Sequence, residues 1–199
     1  MIIGAVLALA FILPSLAADK PAPEVAGKKK SDSYDEKFMR RAIEISRTAI
    51  DTPGAEPFGA VIVKNGEIVG EGLSHALLAW DVTSHGEIEA IRDANRRLER
   101  LDLSDCEIYT TCEPCPMCVS VIGVARLGKM YYGAKHKQAE EAFSVLPPNS
   151  RLSVNIKKLV AEQQRPVDQR QLPAEQKLAA ESFEILKAWA LERKAALSK

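Results

Sequence analysis

Two short motifs constrain this chain more than any other feature, because one fold must bring them together. His85-Gly86-Glu87 opens one predicted helix, and Pro114-Cys115-Pro116-Met117-Cys118 opens another. Cys115 and Cys118 stand at i and i+3, so both sulfurs share a helix face and can reach one ion. At a helix N-terminus the macrodipole lowers a thiol's pKa and favours the thiolate that a metal needs. His85 would add a neutral imidazole. Three protein ligands with a position left open is the catalytic form of a zinc site, whereas structural sites close with a fourth. Cys112, the nearest candidate fourth ligand, precedes Pro114 at a predicted strand end and is set aside. Residues i and i+2 of a regular helix diverge by about 200°, so His85 and Glu87 share a pocket only if His85 sits at or before the first turn. Thr83 and Ser84 are cap-type residues placed for that. Zinc lowers the pKa of a bound water to about 7. Glu87 is the candidate to take that water's proton and return it to a substrate.

The rest of the composition narrows the setting. The chain has 199 residues, 46% of them hydrophobic, which suits one domain with a core that needs no disulfides. Lys+Arg and Asp+Glu are 27 each, which argues against an acidic disordered tail and against a chain-wide nucleic-acid binder. Cys106, Cys112, Cys115 and Cys118 crowd one stretch, a pattern of metal or redox chemistry rather than of a disulfide framework. A Cys-Pro-x-Cys alone would suit a thiol–disulfide oxidoreductase, but that reading gives His85 and Glu87 no role. No apolar run reaches the ~18 residues of a membrane span.

Residues 1–17 resemble a secretory signal peptide cut after Ala17 or Ala18, although only the chain's own amine is positive ahead of Ile2. The alternative is an apolar helix packed on the domain. Cleavage would imply a secreted or periplasmic protein; otherwise it is cytoplasmic. Residues 18–32, rich in Pro, Ala and Lys, read as a linker, and residues 33–199 as the folded domain. Ser33 to Glu36 fits a capping box before a helix reaching about residue 50. Residues 58–63 and 67–71 are strands around an Asn65-Gly66 hairpin turn. A loop spans 72–83, a helix 84–100, a strand 107–111, a helix 115–126 and a strand 129–134. Strand–helix–strand alternation in the second half implies parallel pairing, with the hairpin as an antiparallel edge. Beyond residue 134 a short strand at 152–156 and a long helix at 178–198 are expected.

His-x-Glu followed by Pro-Cys-x-x-Cys is the signature of the zinc nucleobase deaminases. The chain resembles the cytidine/deoxycytidylate deaminase superfamily, in particular its branch of guanine, cytosine and tRNA-adenosine deaminases. The resemblance rests on Pro57-Phe58-Gly59-Ala60-Val61-Ile62-Val63, His85-Gly86-Glu87-Ile88-Glu89-Ala90-Ile91 and Tyr109-Thr110-Thr111-Cys112-Glu113-Pro114-Cys115-Pro116-Met117-Cys118. It implies an α/β fold, a three-layer α-β-α sandwich with a mixed five-stranded sheet. It implies zinc on His85, Cys115 and Cys118, and Glu87 as the proton shuttle. Phe58 and the backbone at Ala60 would line the base pocket, Ser74 would stand where the branch usually has a base-binding Asn, and Glu113 and Pro114 would shape the floor. A homodimer acting on a small nucleobase or nucleoside is implied; the balanced charge, rather than the resemblance, argues against nucleic acid as a partner.

The chain departs from its branch at Gly86, where Ala is usual and some cytosine deaminases have Gly, at Ser74, and after Phe143, where no Asp stands to read a purine. Guanine or guanosine is the first expected substrate, cytosine the second. The balanced charge disfavours tRNA-adenosine. A zinc-binding protein without catalysis is the remaining alternative. Cys106 and Cys112 read as core thiols. His75 and Trp80 are either base-stacking residues or a loop histidine and a core tryptophan. His136 reads as structural or as a rim contact, and Trp189 as core or dimer packing. Arg92, Arg96, Arg97 and Arg100 form a solvated face offset by Glu89, Asp93 and Glu99.

Overall fold

The computed structural model describes residues 34–147, 155–166, 169, 177, 183 and 185–190. Residues 30–173 form one compact unit, and residues 1–29 with 174–199 form another. In that second unit Phe183 and residues 185–190 are helical, and Lys187 Nζ lies 5.0 Å over the Phe183 ring. Trp189 there is exposed, not core. The rest of the expected terminal helix, the signal segment and the linker fall outside the described residues.

The first helix, α1 (Glu36–Arg47), starts on Asp35, whose side chain accepts the Lys37 N–H. Such a cap stabilises a helix by about 1 kcal/mol. Asp35 rather than Ser33 is therefore the cap, and a 3₁₀ turn (Thr48–Asp51) ends the segment. Strands β1 (Glu56–Lys64) and β2 (Glu67–Ser74) form the hairpin. Asn65 and Gly66 both take positive φ, 51° and 82°, the geometry that a twisted two-residue hairpin turn demands. The residues expected as one loop instead finish β2 and form a short helix, α2 (Ala76–Ala79). Then come α3 (Gly86–Leu98), β3 (Glu107–Cys112), α4 (Pro116–Val124) and β4 (Lys129–Ala134). Two helices the sequence did not announce follow, α5 (His136–Phe143) and α6 (Ile156–Gln163). The strand expected at 152–156 is not formed at its end: Asn155 caps α6, and residues 152–154 lie outside the described set.

The sheet is mixed and three-layered, as expected, with four strands among the described residues rather than five, in the order β2-β1-β3-β4. β1 pairs antiparallel with both β2 and β3, and β3 pairs parallel with β4. Side-chain alternation along the central strands builds a core on each face. Val61, Val63 and Tyr109 meet α1 residues Phe38, Met39, Ala42 and Ile45. Ala60, Ile62 and Ile108 meet Ala90, Ile91 and Ala94 of α3 and Ile122 of α4. Arg41 of α1 binds Glu71 of β2 bidentately, at 2.7 and 3.0 Å, and holds that carboxyl below its ordinary range. α3 lies almost against the backbone of β2: a Cβ on Gly72 would stand 2.2 Å from the Gly86 carbonyl oxygen. Only glycine permits that approach, which fixes where the first turn of α3 sits.

Candidate metal centre

Both motif helices begin on a metal-facing residue. His85 is the N-cap of α3 and Cys115 the N-cap of α4; both are extended, and neither caps its helix through its side chain. His85 thus sits before the first turn, as the pairing with Glu87 requires. The cap-type residues Thr83 and Ser84 act differently from expectation. Asp81 accepts from the Thr83 N–H at 2.8 Å, the Thr83 hydroxyl at 2.7 Å and the Ser84 hydroxyl at 3.1 Å. Those bonds from Thr83 hold the Asp81 carboxyl below its usual range and lock the turn ahead of His85. Gly86 has its own reason to lack a side chain, since a Cβ there would meet the Phe58 carbonyl oxygen at 2.4 Å.

His85 Nδ1 lies 3.6 Å from Cys115 Sγ and 3.5 Å from Cys118 Sγ, and the two sulfurs are 3.6 Å apart. This donor set can be tested against zinc by geometry alone. Tetrahedral angles with Zn–S of about 2.3 Å and Zn–N of about 2.05 Å give edges of about 3.8 Å between sulfurs and about 3.6 Å from sulfur to nitrogen. The three atoms already stand at those edges, so the residues fit the ion. Cys115 reaches the site from outside the helix and Cys118 from its first turn, so the shared helix face of the sequence reading is replaced by a cap and a first-turn residue. Both cysteines are free thiols.

Bonding to the Cys118 thiol, with His85 beside it, brings the Cys115 thiol down to about 4, while Cys118 is pushed up by its bond to Cys115 and by burial. The thiolate at Cys115 in turn raises the pKa of His85. Glu87, in the first turn of α3, is buried, and burial raises its carboxyl's pKa. Its Oε2 is 3.5 Å from Cys118 Sγ, so it borders the three ligands. Cys112 is buried with its thiol pushed up to about 11 by burial and lies outside this cluster.

The remaining candidates divide. Phe58 meets Phe143 of α5 edge to face, ring centroids 5.8 Å apart. Glu113 accepts the His136 N–H at 3.1 Å, and the His136 Nε2 lies 3.2 Å from the Pro114 carbonyl oxygen. His136 is thus a clamp that holds the segment leading into Cys115. Ala60 is fully buried in the α3-side core, and its backbone lies between Gly72 and Thr110 on the central strand. Ser74 is fully buried, and its hydroxyl donates to Glu56 at 3.4 Å. The His75 ring lies 2.9 Å from the Leu73 carbonyl, and Trp80 is 95% exposed at φ 53°, so it is not a core residue. Arg92 pairs with Glu89, and Arg97 with Asp93, as expected; Arg100 turns instead to Asp105. Sequence reasoning missed the roles of Asp81 and Glu56, and read His136 as structural or a rim contact without finding its partners. Asp81-x-Thr83-Ser84 is a recognisable side-chain turn pattern, whereas the other two join distant segments and carry no local signal.

Similarity to known proteins agrees with this geometry. Residues 32–134 match the family described as the cytidine and deoxycytidylate deaminase zinc-binding region. Guanine deaminase of Bacillus subtilis is 35% identical over 154 residues, covering 77% of this chain and 92% of that protein. The tRNA-specific adenosine deaminase of Buchnera aphidicola is 37% identical over 111 residues, covering 56% of this chain and 66% of that protein. The X-ray structure of the Bacillus subtilis guanine deaminase superposes with a TM-score of 0.68 at 34% identity, covering 79% of this chain and 94% of that one.

Proposed function

Because this chain belongs to the cytidine and deoxycytidylate deaminase family of zinc-dependent hydrolytic deaminases, we propose that it deaminates a free purine base or its nucleoside, guanine first. The observation that carries the substrate is the extent of the similarity: it spans 77% of the chain for a guanine deaminase but 56% for a tRNA-specific one. The chain's balanced charge supports a small substrate over tRNA. Gly86, the sequence argument for cytosine, has a packing reason instead, because the Phe58 carbonyl leaves no room for a side chain.

The net reaction exchanges the ring amine for a carbonyl oxygen from water and releases ammonia. Zinc, when bound by His85, Cys115 and Cys118, supplies Lewis-acid activation of water. Glu87 moves the protons. Burial makes its carboxylate a stronger base, so that form would accept a proton from water, and the resulting acid would deliver it to the ring nitrogen beside the amine-bearing carbon. A second proton passes by the same carboxyl to the departing amine. Phe58, seated on Phe143, offers a flat apolar wall to the base, with Glu113 and Pro114 as its floor. We extend the proposal to a homodimer, and to a signal peptide removed after Ala17 or Ala18. Sedimentation and N-terminal sequencing of the native protein test these; a monomer or an intact Met1 rejects them.

Ammonia release over a panel of guanine, guanosine, adenine, cytosine and their nucleosides tests the substrate. Guanine or guanosine is expected to give the highest kcat/KM. Turnover of cytosine alone overturns the guanine reading, and turnover of none, with zinc bound, overturns the enzyme.

A further inference from the structure

A second carboxylate, Glu56, stands two residues before Phe58, whose carbonyl meets Gly86 between His85 and Glu87. β1 enters the sheet through an irregularity: Glu56 pairs with Ser74, yet the next pair is Gly59 with Leu73, so Pro57 and Phe58 are extra. Bulges re-aim the residues around them, and they concentrate beside active sites. Here the bulge presses the Phe58 carbonyl onto Gly86, between His85 and Glu87, and leaves Glu56 half-buried at the lip of the same turn. The Ser74 hydroxyl donates to Glu56 Oε2 at 3.4 Å, and the N–H of the next residue, His75, donates to the carbonyl of Ser84, the residue just before His85, at 3.0 Å.

Ser74, fully buried, acts through this bond and is a positioning residue. A carboxylate is an acceptor only, with room for several hydrogen bonds, so it recognises a donor on the substrate. The amine-bearing carbon of guanine is flanked by two ring nitrogens. One has a lone pair and receives the proton; the other carries a hydrogen. In adenine and cytosine the second neighbour is a carbon, which offers no N–H. Resting on the guanine reading and sharpening it, we propose that Glu56, oriented by Ser74, accepts the ring N–H beside the amine-bearing carbon and thereby selects a guanine-type ring.

Steady-state kinetics of the zinc-loaded full chain on guanine, 1-methylguanine, adenine and cytosine test this. The methyl group removes the hydrogen that Glu56 would read. E56Q is expected to lower kcat/KM on guanine by about 10- to 100-fold, the weight of a hydrogen bond to a charged acceptor. Its activity on 1-methylguanine should stay within about 2-fold, so the preference between the two collapses. S74A is expected to raise KM for guanine by about 3- to 10-fold with kcat kept, because the carboxylate loses its tether rather than its charge. Both variants should retain the zinc content and melting temperature of the native protein, which a merely structural role would not spare. Guanine turnover and discrimination left intact in E56Q overturn the proposal alone. A native enzyme that turns over adenine or cytosine but not guanine overturns this proposal and the guanine reading together.

Discussion

The first turns of α3 and α4 hold the two halves of one site, yet they are fixed in opposite ways. α3 buries Gly86, Glu87, Ile88, Ala90, Ile91 and Ala94 against the sheet. α4 is apolar apart from Ser120 but buries only Cys118 and Ile122, with Val119 and Val124 50% and 84% exposed. The α3 half is set by core packing and by the Gly86–Phe58 backbone contact. The α4 half is set by loop hydrogen bonds, from His136 to Glu113 and Pro114. Positioning on a packed element is the more exact of the two, and the carboxylate that needs that exactness, Glu87, is on the packed helix. The thiolates, which an ion can draw into place, are on the lightly packed one.

This contrast can be broken by experiment. Cys115→Ala in the α4 half is expected to remove bound zinc and drop ammonia release to background, measured as metal content and turnover together. Glu87→Ala in the α3 half should leave about one zinc per chain and cut kcat by about 10²- to 10⁴-fold, the range of general acid–base catalysis. Loss of zinc in Glu87→Ala would mean that the two halves do not divide metal binding from proton transfer. Alanine at two glycines sharpens the packing difference. Gly86→Ala forces a methyl into the Phe58 carbonyl and should destabilise the fold by about 1–3 kcal/mol in a denaturant titration. Gly123→Ala in α4 meets nothing within 4 Å and should be neutral or stabilise by up to about 1 kcal/mol. The smallest expected effect is dynamic. In chelated protein the α4 amides should exchange with deuterium at least about tenfold faster than those of α3, because few buried contacts hold α4. Equal protection would abolish the distinction.

The same contrast explains what the sequence disclosed. Elements that bury one face write a periodicity, so α1, α3, the hairpin, β3 and β4 could be placed to within a few residues. α5 and α6 bury nothing among the described residues and so lack a strong apolar stripe, and α5 begins on Lys135, an unusual cap. Residues from Gly72 onward read as loop because glycine disfavours a strand, but Gly72 is there for the close approach of α3 and β2 runs on to Ser74. The ligands His85, Cys115 and Cys118 were legible because each lies in a short motif with a chemical reason for its spacing. Glu56 was not, and His136 was read as structural or a rim contact without its partners, because Ser74, Glu113 and Pro114 lie about twenty residues from them and only the fold makes them neighbours.

The central claim is that one imidazole and two thiolates hold a single zinc with a position left for chemistry. X-ray absorption at the zinc edge of the purified, zinc-loaded protein tests it most directly. The account predicts about one zinc per chain with two sulfur neighbours at about 2.3 Å and two nitrogen or oxygen neighbours at about 2.0–2.1 Å. A third sulfur, which would bring Cys112 into the shell and close the site, or a protein that takes up no zinc at all, would contradict it.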